Sequence, residues 1–159
     1  MIPVLLALSL LASSAPAISP AASLRVNGDI STFVVKVTGG VSSVYQIAID
    51  CVENCAKPVH YGEGTSDSPL GLFSRDQGDL IFSTWSGGSA YRVMVWSVAG
   101  DTVRKVVELS SRSTPDFLTD PRGRPTIETY EGDSVAAPFR RVRWTFINGG
   151  FFRSKTNDR

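Results

Sequence analysis

The stretch Gly78–Trp96 constrains the fold of this chain more than any other. Its first arm places Leu80, Phe82 and Thr84 on one side and Ile81, Ser83 and Trp85 on the other, because side chains alternate along a strand. Ser86-Gly87-Gly88-Ser89 follows, and two glycines can supply the positive φ angles of a tight hairpin turn. The second arm sets Tyr91, Val93 and Val95 against Arg92, Met94 and Trp96. Aromatic and β-branched residues on either side of a Gly-Gly turn predict a β-hairpin. Large apolar groups stand on both of its faces. Both should therefore be covered, which places the hairpin centrally and not at a sheet edge.

The rest of the chain varies this theme. Thr32–Thr38 and Val44–Asp50 form a first hairpin around Gly39-Gly40, with Tyr45, Ile47 and Ile49 on one face. Gly28-Asp29-Ile30 matches Gly78-Asp79-Leu80, Gly39-Gly40 matches Gly87-Gly88, and Tyr45–Ile49 matches Tyr91–Val95. A weaker third copy runs Pro125–Tyr130, turns near Glu131-Gly132-Asp133 and returns through Phe139–Phe146. Such periods suggest stacked repeat units; the alternative is chance likeness among hairpins. Thr102–Leu109 is a further strand, with Val103, Val107 and Leu109 sharing a face, although Val103, Val106 and Val107 also suit a helical turn. Asn148-Gly149-Gly150 turns into a short final strand at Phe151-Phe152. Cys51–Phe73 and Ser110–Pro125 read as long irregular connections. Fourteen glycines, nine prolines and no long amphipathic helical pattern complete the picture. The expected fold is all-β: antiparallel hairpins in a sandwich, a partial barrel or a blade-like stack.

The amino terminus reads differently. Residues 2–12 are an apolar run too short to span a bilayer, and Ala15-Pro16-Ala17 fits a signal-peptidase site, although no Lys or Arg precedes the run. The expected organisation is a signal peptide over 1–17, a flexible linker over 18–24, one β domain over 25–153 and a solvated tail over 154–159. Ala21 or Ala22 are alternative cleavage sites, and a buried N-terminal strand or helix is the alternative to a signal. The chain is then secreted or periplasmic, with no membrane span in its mature part. Sixteen basic residues nearly balance fifteen acidic ones, leaving a net charge of +1 and no global field to attract nucleic acid or anionic lipid.

Cys51 and Cys55 are the only cysteines. In an exported chain they invite a disulfide. The three-residue spacer and the absence of a helix start argue against a redox pair. Zinc would want four ligands, and His60 is the sole histidine, so no metal site and no cofactor is expected. His60 stands beside Tyr61 and near Glu63 and Asp67, a grouping that could support binding or general-base chemistry. No Gly-x-Ser-x-Gly nucleophile elbow is present.

Asp120, Gly123 and Pro125 occupy the turn Asp116–Pro125. In those residues it resembles the Asp-rich loop of FG-GAP-type propeller repeats, as found in small secreted bacterial proteins of unknown role. The resemblance implies a loop shape. It does not carry over calcium, because Arg122 and Arg124 stand where oxygen ligands would be needed. These arginines, with Arg140, Arg141, Arg143 and Arg153, make the C-terminal part basic, either as one charged strand face or as a patch for an acidic partner. The reading reached is a secreted or periplasmic non-catalytic binding module, contacting another secreted protein or a small polar ligand through His60, Tyr61, Glu63, Asp67, Arg122 or Arg124. A small hydrolase-like enzyme built around His60, and an inhibitor presenting the Cys51–Cys55 loop, are the alternatives.

Overall fold

The computed structural model describes residues 21–39, 44–75, 80–132 and 139–154. The expected signal peptide, Gly40, Gly78-Asp79, Asp133 and tail residues 155–159 lie outside these. The described elements are all strands: β1 (Ala21–Asn27), β2 (Thr32–Gly39), β3 (Tyr45–Glu53), β4 (His60–Thr65), β5 (Ser68–Ser74), β6 (Leu80–Ser86), β7 (Tyr91–Ala99), β8 (Thr102–Ser111), β9 (Asp116–Thr119), β10 (Pro125–Glu131), β11 (Arg140–Ile147) and β12 (Gly150–Arg153). They form three four-stranded antiparallel sheets, each a run of four consecutive strands: β1–β4 (sheet I), β5–β8 (sheet II) and β9–β12 (sheet III).

Sheet II lies in the middle. One apolar cluster joins Phe33, Val35, Val37, Ile47 and Ile49 of sheet I to Leu72, Ile81, Trp85, Met94 and Trp96 of sheet II. A second joins Leu80, Phe82, Val93, Val95 and Leu109 of sheet II to Phe117, Ile127 and Phe151 of sheet III. The alternation read from Leu80–Trp96 therefore holds residue by residue: even positions of β6 and odd positions of β7 face sheet III, and the others face sheet I. Trp85 and Trp96 are wholly buried. The outward faces are more polar. Sheet I presents Arg25, Lys36, Gln46, Asp50 and His60, and sheet III presents Asp116, Glu128, Tyr130, Arg141 and Arg143. Polar outer faces are what terminal layers of a stack require.

The first and central hairpins become the same positions of equivalent sheets, since β2–β3 and β6–β7 are the two inner strands of sheets I and II, as β10–β11 are of sheet III. Four sequence expectations need correction. Residues 21–24 are not linker, because β1 begins at Ala21 and pairs with β2 from Ala21↔Thr38 to Asn27↔Thr32. Cys51–Phe73 is not irregular; it holds β4 and most of β5, separated by Ser66-Asp67. Ser110–Pro125 holds β9, which pairs with β10. Finally, Val103 does not share a face with Val107 and Leu109. The β7–β8 register shifts between Val95 and Trp96, so that Val95 opposes Val107 while Trp96 opposes Lys105. The extra residue at this bulge turns Val103 toward sheet I and Val107 toward sheet III.

The glycines of the central turn do different work. Gly88 has φ +85°, the left-handed conformation expected of a hairpin turn. Gly87 is not left-handed; a β-carbon there would stand 3.0 Å from Asp67 Oδ1. At the end of β11, Asn148 and Gly149 have φ of 50° and 83°, the paired positive angles of a two-residue hairpin loop.

Candidate functional site

Tyr61, Glu63 and Asp67, which the sequence placed in a loop, join the strand residues Lys105, Glu108 and Arg92 in one hydrogen-bonded chain between sheets I and II. Tyr61 O–H donates to Glu63 Oε2 at 2.7 Å, and Lys105 Nζ donates to Glu63 Oε1 at 2.5 Å and to Glu108 Oε2 at 2.9 Å. Arg92 then bridges Glu108 Oε1, at 2.8 Å, and Asp67 Oδ2, at 2.7 Å. Asp67 is the buried end of this chain, held against Gly87. Burial raises the Tyr61 pKa above the usual phenol value; the Trp96 indole opposes the rise and Glu63 adds to it. Burial also works against the Lys105 ammonium, but its hydrogen bonds to Glu63 and Glu108 outweigh that and lift its pKa. The hydrogen bond from Lys105 holds the Glu108 carboxyl below the ordinary range against the cost of burial, and Arg92 helps.

His60 is not part of this chain. It alternates with Tyr61 along β4 and therefore lies on the outward face of sheet I, where Nδ1 meets Asp50 Oδ1 at 2.5 Å. The grouping of His60 with Glu63 and Asp67 thus falls apart: Tyr61, Glu63 and Asp67 come together, and His60 is turned away from them.

Arg122 and Arg124 lie in the β9–β10 turn and serve Asp120. Its Oδ1 accepts the backbone amides of Arg122 at 2.9 Å and Arg124 at 2.8 Å, while Oδ2 accepts Arg124 Nε at 2.7 Å. A guanidinium thus stands against the Asp120 carboxylate, whose pKa falls below the ordinary aspartate value chiefly through the Arg124 side chain. Among the described residues no group of three or more His, Cys, Asp or Glu is placed to hold a metal. The two cysteines are joined as the Cys51–Cys55 disulfide, with Cα atoms 6.1 Å apart.

The C-terminal arginines are largely paired with carboxylates. Glu128, almost fully buried on the outward face of sheet III, accepts Arg143 Nε at 3.0 Å and Nη2 at 2.5 Å, with Arg141 Nε at 3.5 Å. Glu131 accepts Arg140 at 2.7 Å and Arg153 at 3.1 Å; Arg140 dominates in holding its pKa low. One carboxylate facing two guanidinium groups leaves a positive excess at each place.

A groove of about 670 Å³ opens where the end of β8 meets sheet III. Arg112 N donates to Tyr130 O at 2.7 Å, and Tyr130 N donates to Ser111 Oγ at 3.0 Å, so β10 is tied to the end of β8 there. Glu108, Arg112, Glu131, Arg140 and Trp144 line the opening. Arg112 makes no side-chain hydrogen bond or ion pair with a described residue. The Trp144 indole donates to Thr129 Oγ1 at 3.0 Å, and Arg153 stands 5.9 Å from its ring centroid. Trp144 is the one tryptophan not fully enclosed, since Trp85 and Trp96 are both at 0% exposure. A second concavity of about 450 Å³ lies on the sheet I side of the same strand end, lined by Asp67, Gly87, Tyr91, Arg92 and Glu108. Sequence reasoning singled out Arg140 only as part of a basic strand and read Trp144 as packing. Arg112 had no signal, because it stands alone in a serine-rich segment. Comparison with protein-family models, curated proteins and solved structures finds no match to this chain.

Proposed function

We propose that this chain is an exported, non-catalytic binding module whose ligand occupies the groove beside Trp144. The observation that carries this reading is the convergence of Arg112, Arg140 and Glu131 around a partly open indole in the larger of the two concavities. The lining is mostly polar and charged, with Leu109 and Trp144 as its large apolar side chains. Arg112 has its donors free for a guest. Export is supported by the apolar run before Ala15-Pro16-Ala17 and by the Cys51–Cys55 disulfide, a bond that persists in oxidising compartments. Cleavage after Ala17 leaves β1 whole, whereas cleavage after Ala21 or Ala22 would remove residues that pair with β2.

The test is a titration of the purified mature chain with oligosaccharides, short peptides and small carboxylates, read by tryptophan emission. Because Trp85 and Trp96 are enclosed, a saturable change abolished by Trp144→Phe supports the groove. No change with any probe, or a change that survives Trp144→Phe, overturns it. Intact mass of the exported protein checks the cleavage site.

A further inference from the structure

β8 is hydrogen-bonded within sheet II to β7 alone, so its other side is a sheet edge. Past the bulge, its last residues alternate regularly: Leu109 faces sheet III, and Glu108 faces sheet I, where it joins Arg92 and Lys105. The two concavities share Glu108, Leu109 and Ser110 and flank this one segment on opposite faces. Their charges differ. On the sheet III side, Arg112, Arg140 and Arg153 face the carboxylates Glu108 and Glu131, an excess of one positive charge. On the sheet I side, Asp67, Glu63 and Glu108 face Arg92 and Lys105, an excess of one negative charge.

Resting on the binding reading above, we propose that the β8 edge at Glu108–Ser110, where Glu108 and Ser110 are exposed, takes an extended peptide from another protein as an added strand. An added strand sends successive side chains to opposite faces of the sheet. The peptide that fits carries an acidic residue toward Arg112 and Arg140, and a basic residue next to it in sequence toward Asp67 and Glu108. Backbone pairing to the edge supplies attraction, and the two concavities supply selectivity. Within the chain itself, Arg112 N already bonds Tyr130 O at the end of this edge.

The probe is the blocked peptide acetyl-Thr-Val-Glu-Lys-Val-Thr-amide, with the same residues reordered as acetyl-Thr-Glu-Val-Lys-Val-Thr-amide for comparison. In the first, the charges fall on opposite faces; in the second they fall on one. Binding is read by Trp144 emission and by amide chemical shifts of residues 107–111. The first peptide should bind about tenfold more tightly than the second, and Arg112→Glu should weaken it about tenfold. Methylation of alternate peptide nitrogens should abolish binding in one of the two frames, because only one set of amides faces β8. The inference is overturned if the first peptide does not bind, if the two bind equally, or if both methylated frames bind as well as the parent. Should the peptides fail while a saccharide or small carboxylate still shifts Trp144 emission, the groove stands and the added strand falls. The peptide comparison uses the unaltered protein, so it decides the matter even if Arg112→Glu does not fold.

Discussion

Lys105 Nζ on β8 lies 2.5 Å from Glu63 Oε1 on β4, so one ammonium group ties the last strand of sheet I to the last strand of sheet II. Both side chains are about one quarter exposed, at 26% and 24%. Replacing Lys105 by Met removes the cation and leaves Glu63 and Glu108 half-enclosed. We expect a loss of about 1–2 kcal/mol, between the cost of breaking an exposed pair and a fully buried one. A urea melt measures it. A loss below about 0.3 kcal/mol would mean that water replaces the ammonium freely.

The same chain sets a pH dependence. Glu108 has a lowered pKa in the folded state, so its contribution is present above the unfolded glutamate value and disappears as pH falls through the folded one. Lys105 has a raised pKa, so its contribution is present below the unfolded lysine value and disappears as pH rises through the folded one. Stability should be flat near neutrality and fall on acidification below the ordinary glutamate value of 4.5. Glu108→Gln should flatten the acid limb in melts taken across pH. An unchanged acid limb would remove Glu108 from the account.

Gly87 and Gly88 should respond in opposite ways to asparagine. Gly88 is left-handed with nothing within 4 Å of a new β-carbon, and asparagine tolerates that conformation, so Gly88→Asn should cost under about 1 kcal/mol. Gly87→Asn drives a side chain into Asp67, itself held by Arg92, and should cost about 2 kcal/mol or more. Thermal melts of the two variants should rank them in that order.

Reduction of Cys51–Cys55 should lower stability by about 2 kcal/mol, the loop-entropy figure for so short a closure. The same loss should follow from replacing both cysteines with serine. Thiol titration of the native chain should find no free thiol until reductant is added.

The Asp120 turn should be indifferent to calcium. Its carboxylate accepts two amides and the Arg124 guanidinium, which leaves no oxygen cluster for a divalent ion. Melting temperature should not change with millimolar calcium, whereas Arg124→Ala should lower it. A calcium-induced rise would show that the guanidinium yields to a cation.

The residues of this chain determined its strand content and the placement of its central hairpin. Leu80–Trp96 carries large apolar groups in strict alternation on both faces, and only a sheet covered twice can bury them; its neighbours Phe33–Val37, Ile47–Ile49 and Ile127 provide the covering layers. The missed strands β1, β4, β5 and β9 are all edge strands. The inward residues of β4, Tyr61, Glu63 and Thr65, bury partly polar side chains, so alternation of hydrophobicity does not mark them. Tertiary structure alone decided the rest. A one-residue bulge in β8 sent Val103 and Val107 to different sheets, because strand parity is lost at every inserted residue. Alternation along β4 turned His60 away from Glu63, although they are close in sequence. Arg112, Arg140 and Trp144 come from separate segments, and only the packing of sheet III against the end of β8 brings them to one groove.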